Sequence, residues 1–188
     1  LGYLRPDWRN ITELRYGSGP LDLAGMMYRA IGLAGDGSAW LAGDDGDIER
    51  VTGDGRLERV PEKIRRQLAG THPFSVLPAS DGSLWIGERK GLYRIDRAGR
   101  LQSWLMDAPA DAPPGDTVLR VREARDGSIW LLANGGVQQR DGQGHVLHTI
   151  PVAQNQTIDE MVLDGDGVPW AIVDKQIVRI DVAANRFE

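Results

Sequence analysis

The chain has 188 residues, 41% hydrophobic and 26% charged, with a formal net charge of −5 at neutral pH. That is an ordinary globular balance, and its acidic sign gives no electrostatic basis for nucleic acid or an anionic membrane as partner. Cysteine is absent, which excludes disulfides, thiolate metal sites and a Cys nucleophile.

No apolar run approaches the roughly 20 residues that span a bilayer. The 24 glycines are roughly twice the usual share and demand many tight turns. The first residue is Leu1 rather than Met, so the chain is expected to be a piece of a longer one, and missing targeting signals are uninformative.

In chain order, "GYLRPDWRNITELRY" at 2–16 reads as the third and fourth strands of a unit whose first two are missing. A complete unit follows over about 26–60, with a strand-like "MYRAIGLA", a turn at Asp36-Gly37, then "WLAG" and "DIERV". "PEKIRRQLAG" at 61–70 switches to helical spacing, with Ile64 and Leu68 four apart. It predicts one helical turn between units, with a lid or dimer contact as the functional alternative. A second unit covers about 74–105, with strands near 74–79, 83–88, 92–96 and 100–105, and a third covers 117–150. The last, 158–188, carries "IDEMVLD", "WAIV" and "QIVRID" and stops where a fourth strand should begin.

Alignment on Trp40, Trp85, Trp130 and Trp170 gives spacings of 45, 45 and 40. Each Trp follows an Asp-Gly pair at the same distance: Asp36, Asp81, Asp126 and Asp166 with their glycines. Asp-Gly between apolar runs is a hairpin signal, because Gly tolerates positive φ and Asp bonds its own turn backbone. The strand holding the Trp is apolar on both faces, as in Leu84 and Ile86 against Trp85 and Gly87. A strand buried on both faces needs packed neighbours above and below its sheet. Four short strands per 40 to 45 residues, stacked radially, supply them. The fold class expected is all-β: a β-propeller of four-stranded antiparallel blades. With strands left over at both ends, the chain is an incomplete arc of a larger ring. The other arrangement is a four-blade ring closed by residues 11–16 against the last blade.

The repeat resembles the two-component regulator propeller, whose blades read D-G-x-L-W-I-G-T-x-x-G-L-x-R-x-D. The second unit carries Asp81, Gly82, Leu84, Trp85, Ile86, Gly87, Gly91, Leu92, Arg94 and Asp96 in place, with Glu88 for the usual Thr. The third departs at Leu132, which replaces the strand glycine, the first at "DDGDIER", and the last at Pro169. The resemblance implies a periplasmic sensor region, on the outer side of a bacterial inner membrane. Such regions sit ahead of a membrane helix and a kinase or diguanylate cyclase output domain, in a dimeric full-length protein. It implies further blades in the same chain and an unidentified small molecule, glycan or protein as ligand. Lyases of the virginiamycin B type share a related D-G-x-x-W blade pattern and are the enzymatic alternative. A structural interaction platform is the third reading.

The segment itself is expected to be non-enzymatic and to use no cofactor. "DGDG" at 164–167 and "DDGD" at 44–47 resemble parts of calcium loops but lack the closing Glu. His145 and His148, three apart on a strand, point to opposite faces and cannot share a metal. No phosphate loop or nucleophile elbow is present. Binding on propellers usually uses the end built from the loops joining strands B to C and D to A, the four strands of each unit being A to D in chain order. Around a constant scaffold, loop chemistry that varies from blade to blade is what a recognition surface shows. The candidate ligand-binding residues are Asp44, Asp45, Glu88, Arg89, Lys90, Asn134, Asp174 and Lys175.

Overall fold

The structure, a computed structural model, describes residues 27–105 and 112–188. The expected strands at 2–16, and any pairing of 11–16 with the last sheet, lie outside the described residues. Among the described residues sixteen strands form four antiparallel sheets, each in chain order. The first holds β1 (Tyr28–Leu33), β2 (Ala39–Gly43), β3 (Ile48–Val51) and β4 (Leu57–Arg59). After helix α1 (Glu62–Gln67) come β5 (Pro73–Pro78), β6 (Leu84–Glu88), β7 (Gly91–Ile95) and β8 (Leu101–Leu105). The third sheet is β9 (Val118–Glu123), β10 (Ile129–Ala133), β11 (Gly136–Arg140) and β12 (Val146–Pro151). The fourth is β13 (Ile158–Leu163), β14 (Pro169–Val173), β15 (Gln176–Asp181) and β16 (Arg186–Phe187). The last sheet therefore has a fourth strand where the sequence suggested three. It is only two residues long, too short to leave an alternating pattern.

The first strands of successive sheets lie side by side, β1 with β5, β5 with β9 and β9 with β13, so the sheets fan out from a shared inner edge. Register places Trp85, Arg94 and Gln102 on one face of the second sheet, with Gly87, Leu92 and Trp104 two residues along on the same face. That face packs on the third sheet through Trp85, Leu92, Val118, Val121, Ile129 and Leu131. The opposite face, with Val76, Leu84 and Ile86, packs on Ala42 and Ile48 of the first sheet and on Ile64 and Leu68 at the helix. Trp130 and Leu132 of the third sheet meet Ile158, Met161, Ala171 and Ile180 of the fourth. Each sheet thus turns its Trp face to the next, and the core lies between sheets.

Gly87 shows why one side chain is missing. A Cβ there would stand 2.7 Å from Val118 Cγ1 and 3.0 Å from the Val118 carbonyl. The same position in the third sheet is Leu132, fully buried, and there the wider gap is filled by side chain instead of closed by backbone approach.

The Asp-Gly turns close as expected. Gly37, Gly82, Gly127 and Gly167 have φ from +80 to +83, and each N–H bonds the carbonyl three residues earlier. In the first three copies the Asp accepts from the Ser two residues on: Asp36 from Ser38, Asp81 from Ser83, Asp126 from Ser128. The fourth copy differs. Its acceptor is Asp164, not Asp166, taking the N–H groups of Asp166 and Val168 at 2.9 Å each and the Trp170 indole N–H at 3.0 Å. The turns between third and fourth strands use that same pattern, as at Asp141 with Gln143 and His145.

Candidate functional site

At the end carrying the B–C loops, the residues singled out in the sequence serve mostly as ties. Asp44 lies in the short 3-10 turn Asp44–Gly46. It accepts from Arg29 Nε at 2.5 Å and faces His72 Nδ1 at 3.0 Å, joining the first two sheets. Those partners, Arg29 first, hold its carboxyl below the usual range. Asp45 donates its backbone N–H to Thr71 at 3.2 Å. Glu88 is buried and accepts from the N–H of Lys90 at 2.9 Å and of His72 at 3.4 Å. Asn134 Oδ1 accepts from the N–H groups of Asp116 and Thr117, at 2.8 and 3.2 Å. Asp174 accepts from Thr157 N–H at 2.9 Å.

Glu88, Asn134 and Asp174 do one job in three sheets: the B–C loop holds the segment that leads into strand A of its own sheet. The sequence signal was a polar residue just before strand A, His72, Thr117 or Thr157, at matching repeat positions. Arg89, Lys90 and Lys175 are exposed, and Asp174 and Lys175, at φ 50° and 66°, form a tight hairpin turn without glycine. None of the eight lines the clefts between sheets.

Beside this end the first sheet buries charge. Glu49 is bonded by Tyr28 Oη and by Arg59 Nε at 2.5 Å, and burial, then the Glu49 bond, pushes the Tyr28 phenol well up. Burial also raises the Asp47 carboxyl, whose Oδ2 has no partner and whose Oδ1 lies 3.6 Å from Arg65. Among the described residues no three His, Asp or Glu side chains are grouped to hold a metal.

The clefts between sheets lie at the other end, between the A–B and C–D turns, away from the loops singled out in the sequence. The cleft between the first and second sheets has a volume of about 930 Å³, against about 430 Å³ and 460 Å³ for the next two. Its walls include Trp40 and Val60 on one side and Leu84 and Ile95 on the other, with Ile64 of α1 above. One register position of the fourth strand varies from sheet to sheet, and in the third it holds Ile150. In the second sheet Trp104 occupies it, stacked on Trp85 with ring centroids 5.6 Å apart and planes 14° apart. In the first sheet the corresponding residue, bonded to Ile48, is Val60. Arg50 crosses the Trp40 ring at 5.8 Å and reaches Asp36 at 2.6 Å and Glu58 at 3.0 Å. The Asp36 carboxyl is held down to about 2 by the Ser38 hydroxyl and N–H, with Arg50 adding to them.

No protein-family model matches the chain, and no curated protein matches it in sequence. Solved structures do match in shape. Virginiamycin B lyase from Staphylococcus aureus superposes with a TM-score of 0.63 at 19% identity, over 83% of this chain and 53% of the lyase. The extracellular domain assigned to a hybrid two-component system of B. thetaiotaomicron gives 0.62 at 18% identity, over 81% of this chain and 20% of that one. A protein assigned as a gluconolactonase gives 0.56 at 16% identity, over 82% and 60%. The fold is a β-propeller arc. The chain spans about half the length of the lyase. Likeness at this identity establishes the fold, shared by enzymes and sensor domains, and no residue role. No helix among the described residues is long and apolar enough to cross a membrane.

Proposed function

We propose that the chain is a non-enzymatic, ligand-binding segment of a sensory propeller, on the periplasmic side of a bacterial membrane-bound signalling protein. The observation that carries this reading is the blade signature of residues 81–96, repeated along the chain in a fold similar to the extracellular domain of a two-component system. In the B–C loops Glu88, Asn134 and Asp174 hold the scaffold, which leaves Arg89, Lys90 and Lys175 exposed at that end to meet a ligand. Further blades of the same chain cover the apolar faces of the first and fourth sheets. Ligand binding across blades shifts how those faces pack and biases a dimeric output domain.

The test is made in the full-length gene product. Deleting one sheet, for instance residues 117–151, should abolish the response of kinase or cyclase output to the native stimulus while basal output persists. A gene product without a membrane helix and output domain would defeat the reading. An enzyme of the lyase type is the second reading, because the structural likeness to that lyase is equally strong. Incubation with a streptogramin B, followed by mass spectrometry, decides it: ring opening would establish the enzyme.

A further inference from the structure

Asn134-Gly135 is the one Asn-Gly pair of the chain; the other asparagines, Asn10, Asn155 and Asn185, precede Ile, Gln and Arg. It forms the loop between β10 and β11, closed where Ala133 pairs with Gly136. Packing demands the glycine. A Cβ on Gly135 would stand 2.7 Å from the Gly115 N and 2.8 Å from the Pro114 carbonyl carbon. Only glycine lets this loop lie against the segment that enters β9. A side chain on the residue after Asn shields the backbone N between them from the Asn amide carbon, and here there is none.

Three hydrogen bonds hold the Asn134 amide. Its Oδ1 accepts from the N–H groups of Asp116 and Thr117 at 2.8 and 3.2 Å, and its Nδ2 donates to Asp116 Oδ1 at 2.5 Å. The two N–H groups stand where negative charge develops when a nucleophile adds to Cγ. The Gly135 N–H is held only by a long bond of 3.3 Å to the Pro114 carbonyl. Asn134 is exposed, so water reaches the loop.

The fourth sheet supplies a comparison. Forty residues on, Asp174 stands in the place of Asn134, Gln156 in that of Asp116 and Thr157 in that of Thr117. Both loops make the same backbone bond, Asn134 N–H to the Thr117 carbonyl and Asp174 N–H to the Thr157 carbonyl. Asp174 accepts the Thr157 N–H as Asn134 accepts that of Thr117. Each sheet thus carries one carboxylate and one amide at these two positions, in opposite order. Neither carries two carboxylates.

We propose that Asn134 is a site of spontaneous deamidation in the folded protein, and that the change loosens the entry to the third sheet. The Gly135 N forms a bond to Asn134 Cγ, the Cγ–Nδ2 bond breaks, and Nδ2 leaves as ammonia with the Gly135 proton. Water then opens the cyclic imide, its hydroxyl going to a carbonyl carbon and its proton back to the Gly135 N. Opening at Cγ leaves aspartate at position 134. Opening at the main-chain carbonyl leaves isoaspartate, which adds a methylene to the hairpin backbone. Either product puts a carboxylate beside Asp116 where a donor stood, and like charges in contact repel. The site is independent of the sensory reading.

The test ages the folded 188-residue chain in mildly alkaline buffer beside the free peptide LLANGGV, with peptide mapping by mass spectrometry. When half of the peptide has converted, the chain should show aspartate and isoaspartate at position 134 and none at Asn155 or Asn185. The aged chain should lose amide-exchange protection at Asp116 and Thr117. Asn134→Asp should lower the melting temperature by about 2–4 °C, the shift that losing one hydrogen bond gives in a chain of this size. Adding Asp116→Asn, which restores the fourth sheet's order of carboxylate and amide, should recover it. The proposal is overturned if Asn134 is intact when the peptide is half converted. It is equally overturned if Asn134→Asp melts with the parent, or if the double variant melts no higher than the single one.

Discussion

The second and third sheets differ from the first and fourth in one respect that their sequences barely show. The Trp strands β6 and β10 are buried at every position, whereas β2 and β14 are only partly so. Trp85 and Trp130 are 0% and 2% exposed, and Trp40 and Trp170 are half-buried. At the outer faces Leu33 is 75% exposed and Ile177 77%. The same motif makes the same strand in all four, so burial is conferred by the neighbour. A blade of this kind is half of two cores and the whole of none.

The sharpest way to break that comparison is to empty matched positions. Trp85→Ala should cost about 3–5 kcal/mol in chemical denaturation, the range for emptying a large aromatic site in a core. Trp170→Ala should cost about 1 kcal/mol, near the centre of ordinary point substitutions. Equal losses would show that the end sheet is packed as the central ones are.

A smaller effect is expected at Gly87. Gly87→Ala forces a methyl against Val118 and should destabilise by about 1–3 kcal/mol through overpacking. Leu132→Ala at the matching place should instead leave a cavity and lose about 2–5 kcal/mol. Thermal melts of both variants test whether one interface is set by backbone approach and its neighbour by side-chain volume.

The outer faces make a prediction about association rather than stability. Exposed apolar sheet faces seek partners. Light scattering should give the 188-residue chain a mass above that of one molecule, and Leu33→Lys with Ile177→Lys should reduce it. A parent chain that is monomeric at high concentration would mean the faces are satisfied within one molecule.

The smallest effect is in pH. Asp36 is depressed from 3.8 to about 2 by its Ser38 bonds, and Asp126 is lowered by Ser128 in the same way. A depressed carboxyl contributes stability that is present above its unfolded pKa and lost as pH falls through the folded one. The denaturation midpoint should therefore decline as pH drops from about 4 towards about 2, and Ser38→Ala should flatten the decline. Both carboxyls are largely solvated, so the amplitude is small.

Much of the scaffold was legible from the repeat. The strands of the second unit fall within one residue of their expected bounds, and the helical turn lies at Glu62–Gln67 with Ile64 and Leu68 inward. Both follow from local periodicity. What the sequence hid was relational. Nothing in "WLAG" against "WIGE" says which Trp has a neighbour. Asp166 keeps the repeat position while Asp164 does the bonding, because two turn patterns differ only in which Asp faces the backbone. The B–C loop residues vary in type, as a recognition surface would. Yet Glu88, Asn134 and Asp174 vary around one shared duty, that of accepting a backbone N–H. The cleft at the opposite end lies between two sheets, where Trp40 and Val60 face Leu84 and Ile95, residues far apart in the chain.

The column between the second and third sheets has an optical consequence. Arg94 lies 5.5 Å from the Trp85 ring, Trp85 stacks on Trp104, and Arg140 lies 5.2 Å beyond Trp104. Two near-parallel indoles at that separation couple their electronic transitions. The folded chain should carry an exciton couplet in its circular dichroism that neither indole would give alone. Trp85 and Trp104 belong to one sheet, but Arg140 comes from the next and clamps the outer ring. The couplet therefore reports the folding of that one blade, a built-in chromophore against which the neighbouring blade rests through Arg140.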